Sequence, residues 1–208
     1  MLIMGVHGIN TPPDSDYAMD WQVALASAGL KANVAPARWG SSGQIGTDIR
    51  KTIFNFRWRN EQIDGLKEML HDFHRGVMKS KVKSVVVAHS LGQPLILAAE
   101  RRLREEGRGT TLNYVSMGGP LCHPIWGSGL RAIGMGKPTA QTPVAFWNYD
   151  DGVCSTRLGW TDQPQWMDTR RIAVGGDLNW FQEHPAELYL SNPNVADAIK
   201  CSAHTQTA

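Results

Sequence analysis

Short apolar runs rich in β-branched residues alternate along this 208-residue chain with longer stretches whose apolar positions recur at helical spacing. Residues 2–6, 31–35, 82–88, 112–117, 144–149 and 171–174 have the length and composition of strands. Residues 17–28, 60–79, 92–106 and 185–200 have the period of helices. In the second of these, Ile63, Leu66, Met69, Leu70, Phe73 and Val77 share one face, which marks a surface helix docked by that face. Strands alternating with helices predict an α/β fold, a mostly parallel sheet of about six strands with helices on both faces.

One strand ends abruptly in Ala88-His89-Ser90-Leu91-Gly92 and opens directly into a helix. A turn that tight strains the backbone of its central residue, so the positions two before and two after it must be small. Ala88 and Gly92 are. Pro94 suits the first helical turn, where its missing N–H would have no partner anyway. Ser90 is therefore a candidate nucleophile on a strand-to-helix elbow. The strand 144–149 empties into Asp150-Asp151-Gly152, where an orienting carboxylate belongs, and His184 follows the strand 171–174, just before the helix signal of Pro185. The chain order is nucleophile, acid, base. Asp150 and Asp151 both fit the acid, with Asp177 a poorer third. His123 competes with His184 for the base but precedes the acid in the chain. All these groups fall beyond the carboxyl ends of strands, where sites form in open α/β sheets.

His7-Gly8-Ile9-Asn10 after the first strand, the Ser90 elbow, the turn Met117-Gly118-Gly119-Pro120-Leu121 and the closing histidine, tyrosine and helix of 184–199 together resemble the α/β-hydrolase superfamily, in its serine esterase and lipase branch. The resemblance spans nearly the whole chain. It implies one catalytic domain over 1–208, with Ser90 as nucleophile, His184 as base and Asp151 as acid, since Asp151 heads the matching Asp-X-Val pattern. It further implies an oxyanion hole from the Leu91 and Ile9 amides, each worth on the order of 3 kcal/mol in the barrier, and no metal or cofactor. The implied reaction is cleavage of carboxylic esters of short to medium acyl chains through an acyl-enzyme. Acyl transfer, thioester cleavage or a non-catalytic binding role on the same fold are the alternatives. The chain departs from the pattern in three ways: Ala88 replaces the first elbow glycine, Gln93 stands where a small residue is frequent, and the two leading strands of the sheet are missing.

Composition narrows the partners. Lys plus Arg number 21 against 19 for Asp plus Glu, and a net charge of +2 points away from nucleic acid. No run approaches the length of a transmembrane helix and the apolar start is too short for a signal peptide, so no stable membrane insertion and a cytoplasmic location are expected. The oligomeric state is not legible. Cys122, Cys154 and Cys201 form no framework, although Cys122 and Cys154 follow neighbouring strands and a disulfide between them is an open alternative to free thiols. His71 and His74 lack a third ligand and read as a solvated helix face. Trp39, Trp126, Trp160, Trp166 and Trp180, with Ile125, Leu130, Ile133 and Met135, are expected beyond strand ends, where they imply an apolar acyl pocket. His7, Gly8, Trp39 and Trp126 are the expected substrate contacts. The Gly-rich segment 121–142 reads as a small mobile rim in place of a lid domain. Residues 50–59 interleave cations with aromatics, a pattern that can rest on a lipid surface and more often packs its apolar residues.

Overall fold

The computed structural model describes residues 1–8, 11, 15–42, 44–135, 139–155, 163–173 and 184–205. Its elements run β1 (Leu2–Val6), α1 (Tyr17–Ser27), β2 (Asn33–Ala37), α2 (Ile45–Phe54), α3 (Phe56–Ser80), β3 (Lys83–His89), α4 (Gly92–Glu105), β4 (Tyr114–Met117), a 3-10 turn (Pro120–Cys122), α5 (Pro124–Ala132), β5 (Val144–Asn148), β6 (Asp168–Ile172), α6 (Ala186–Leu190), α7 (Pro193–Ser202) and β7 (His204–Thr205). The first six strands form a parallel sheet in the order β2-β1-β3-β4-β5-β6, and β7 adds a short antiparallel pairing to the start of β3.

Alternation along the strands sorts the interior into two layers. Met4, Val6, Val86, Ala88 and Tyr114 face α3, α4 and α5, while Ile3, Val85, Val87, Val115, Met117 and Phe146 face α1, α6 and α7. β3 is buried along nearly its whole length, as a central parallel strand must be.

The six strands and the α/β class stand as read from the sequence, with several boundaries moved. β2 runs on through Pro36, which an edge strand tolerates because one side of its backbone has no ladder to donate to. β6 is earlier and more polar than the reading 171–174, for it is the other edge and begins in Asp168-Thr169-Arg170, where no apolar alternation signals a strand. Val174 lies outside the described residues. The single helix read over 185–200 is two: Pro193 starts α7, and the residue before it, Asn192, is extended and accepts from the Asn194 N–H. α2 and α5 are helices where none was read, so much of the segment 121–142 is a helical wall. Cys122 and Cys154 are both buried and are not joined in a disulfide, which removes that alternative. No helix among the described residues is long and apolar enough to cross a membrane.

Candidate active site

The turn from β3 into α4 puts Ser90 at φ 54°, a left-handed backbone that a side chain other than glycine adopts only under constraint. The constraint is visible. The Ser90 N–H donates to the Met117 carbonyl at 3.0 Å, and Gly92 lies so close to β1 that a Cβ there would meet the His7 carbonyl oxygen at 2.5 Å. Gly8 is equally confined: its Cβ would fall 2.5 Å from that of Ser90. The elbow and the loop after β1 therefore touch through two glycines. Ser90 is buried, and its Oγ has no hydrogen-bond partner among the described residues.

Asp151 follows β5 and is fully buried. One carboxylate oxygen accepts from the Val153 N–H at 2.9 Å, and the other from the Tyr189 hydroxyl at 2.5 Å. His184 brings its Nδ1 to 2.9 and 3.0 Å from the same two oxygens. Burial alone would push this carboxyl up, but His184, Tyr189 and the Val153 amide outweigh it and hold it below the usual range. Asp151 is then an acceptor only, so Nδ1 carries the proton and Nε2 is left as an acceptor. That Nε2 is buried without a hydrogen-bond partner among the described residues, as the Ser90 Oγ is. The structure brings Asp151 and His184 into contact, while the Ser90 hydroxyl and the His184 Nε2 are not bonded to each other or to any other described residue.

His89 braces this arrangement. Its Nε2–H donates to the His184 carbonyl at 2.7 Å, and the two rings lie 4.6 Å apart. Burial first, then the neighbouring His184, push its imidazole down to about 3, so it stays neutral. His7 is also neutral, lowered chiefly by burial: Nδ1–H donates to the Gly8 carbonyl at 2.7 Å, and Nε2 accepts from the Trp39 N–H at 3.4 Å. Trp39 stacks on that ring at 5.2 Å and returns a bond from its indole N–H to the His7 carbonyl. His123, the alternative base, is occupied elsewhere, its Nδ1 accepting from the Ile125 and Trp126 N–H groups to cap α5. Asp150 is exposed beside the buried Asp151. Ile9, Trp160, Asp177 and Trp180 lie outside the described residues.

No protein-family model matches the sequence, and no curated protein does. Solved structures match its fold. A protein from Xanthomonas campestris pv. campestris placed in the alpha/beta hydrolase superfamily superposes with a TM-score of 0.50 over 96% of this chain and 98% of its own, at 12% identity. The ydeN gene product from B. subtilis gives 0.54 over 97% of both chains at 16% identity, and an esterase from Pyrobaculum calidifontis gives 0.56 over 96% of this chain and 76% of its own at 12% identity. The chain has the α/β-hydrolase fold.

Within that fold the other aromatic expectations divide. Trp39 is buried under the loop after β1, and Trp126 stands 39% exposed at the start of α5, beyond β4. Trp166 precedes β6 and therefore lies at the opposite end of the sheet, and Leu130 and Met135 belong to the core. Trp166, so placed, lines no acyl pocket at the carboxyl ends of the strands. Three contacts escaped sequence reasoning. Tyr189, on α6, secures Asp151. Gln93, the unusual residue of the elbow, donates from Nε2 to Ser116 Oγ at 2.8 Å and accepts from the Leu121 N–H at 3.2 Å. Its carbonyl oxygen occupies the space a side chain at Gly119 would need. A polar residue at 93 and a bare glycine at 119 were the only signal, and it is legible only once the two loops are seen together.

Proposed function

We propose that this chain is a serine hydrolase that cleaves carboxylic esters of short to medium acyl chains. The observation that carries the reading is the Asp151–His184 pair, oriented through Nδ1, together with a strained, buried Ser90 whose hydroxyl has no other partner among the described residues. His184 Nε2 takes the Ser90 proton as Oγ attacks the acyl carbonyl; Asp151 fixes the tautomer and stabilises the imidazolium. The alcohol leaves with the proton from His184. Water, deprotonated by the same nitrogen, then cleaves the acyl-enzyme. The Leu91 amide, at the positive end of α4, is the oxyanion donor on the elbow, and Ile9 is the expected second one. The gap between Ser90 and His184 closes in the substrate complex, since such bonds are commonly long without a ligand.

The test pairs covalent labelling with turnover. The purified chain should react with a fluorophosphonate probe and hydrolyse p-nitrophenyl butyrate, and Ser90→Ala should lose both while keeping its circular dichroism spectrum. Labelling that persists in Ser90→Ala, or turnover above the residual that oxyanion and binding contributions sustain, would remove Ser90 from the role.

A further inference from the structure

Two phenylalanines stand in water where α2 meets α3: Phe54 is 79% exposed and Phe56 69%. The junction that presents them is held on both sides. Asn55 ends α2 by donating its N–H to the Lys51 carbonyl at 2.9 Å, and starts α3 by accepting from the Trp58 N–H at 3.0 Å. Arg59, itself buried, reaches back to donate to the carbonyls of Thr52 at 2.8 Å and Ile53 at 3.2 Å, which are free C-terminal groups of α2. An arginine used this way fixes the angle between the helices, and that angle turns both rings outward. Large apolar side chains on a fixed support, left out of the core, mark a contact surface.

Charge says what the contact is. Arg50 and Arg57 are exposed beside the rings, and Lys51 lies over the Trp58 ring at 5.6 Å. Facing them are Glu61, paired with Arg57 at 3.0 Å, and Asp48, which is buried and taken up by the Ser41 and Ser42 hydroxyls. The knuckle is cationic on balance. A second copy of the chain docked through a two-fold axis would set these cations against themselves, whereas an anionic surface would not. The knuckle is also on the catalytic end of the molecule: Trp58 packs edge-on against Trp39 at 6.1 Å, Trp39 stacks on His7, and Gly8 abuts Ser90. At that same end α5 leaves Ile125 70% exposed next to Trp126.

We propose that the α2–α3 knuckle docks this protein on an anionic lipid–water interface, with Phe54 and Phe56 entering the headgroup–acyl boundary and Arg50, Lys51 and Arg57 meeting lipid phosphates. The docking is peripheral, and it is read without turnover, so it stands or falls apart from the esterase reading.

The full chain is cosedimented with vesicles of phosphatidylcholine alone and of about 7:3 phosphatidylcholine to phosphatidylglycerol. Binding should be about tenfold tighter to the mixed vesicles, and Phe54→Ser with Phe56→Ser should weaken it about tenfold. Arg50→Gln with Arg57→Gln should lower affinity for the mixed vesicles and leave pure phosphatidylcholine nearly unchanged. Both double variants keep their circular dichroism spectrum and their fluorophosphonate labelling. The proposal is overturned if wild type binds mixed vesicles no better than the double serine variant does. It is equally overturned if sedimentation velocity shows a wild-type dimer that the serine variant dissolves, which would assign the knuckle to a second copy.

Discussion

The imidazole of His184 is held from several directions at once. Asp151 fixes Nδ1, the His89 ring lies 4.6 Å away, and the His89 Nε2–H pins the His184 backbone carbonyl. Gly118, at φ 56°, closes the remaining side, for a Cβ there would sit 2.9 Å from an Asp151 oxygen and 3.1 Å from the His184 ring. Such crowding leaves the ring little rotational freedom, which is what a proton acceptor aimed at one hydroxyl requires. The adjacent carboxylates differ sharply in this respect. Asp151→Asn should lower kcat by about 10³–10⁴-fold, because an amide cannot hold the Nδ1–H tautomer. Asp150→Asn, at an exposed turn position, should change kcat by less than about threefold. Steady-state rates on one soluble ester decide between them, and equal losses would return the acid assignment to an open question.

At the scale of elements, what could be read in advance was whatever one local pattern specifies. The β3–α4 elbow was legible because a buried strand, a small-residue turn and a helix start coincide within a few residues. The exposed-edge strands were not legible in their bounds. Pro36 and the polar start of β6 contradict strand composition, and only their edge positions permit them. The division of the last helix turned on Pro193, whose effect on Asn192 outweighs the helical period running through it. Side chains that join distant elements were beyond reach: Tyr189 on α6 meets Asp151 after β5, and Gln93 on α4 ties β4 to the 3-10 turn. The Gln93 contact makes a testable pair. Gln93→Ala should cost about 1–3 kcal/mol, since the buried Leu121 N–H loses its acceptor. Gly119→Ala should be severe in the wild type and milder in the Gln93→Ala background, because the atoms it strikes are then gone. Urea denaturation of the two single variants and the double measures this coupling, and additive losses would mean that the two positions do not share space.

Across the whole molecule the sheet separates two apolar layers, and the layer against α3 and α4 contains one group that works against folding. Glu100, on α4, is fully buried, and among the described residues neither carboxylate oxygen has a hydrogen bond of good geometry, the Ala140 amide being only a weak partner. Burial pushes its carboxyl above the ordinary value of 4.5, against the pull of the Arg104 charge and the Ala140 amide. The folded state therefore holds this proton more tightly than the unfolded chain. Its contribution to stability is full below the unfolded carboxyl pKa and is lost as pH rises through the folded one, because above that point folding must bury a charge or retain a proton against the solvent. Glu100→Gln keeps the shape and removes the titration. The advantage of the variant over wild type should thus grow with pH, as a Tm difference that is larger at about pH 8 than at about pH 4. Thermal unfolding at the two pH values, followed by circular dichroism, reads the difference directly. A Tm offset that stays constant across that range would show that Glu100 finds its counter-charge in the folded protein, and the buried carboxylate would then be neutral in effect.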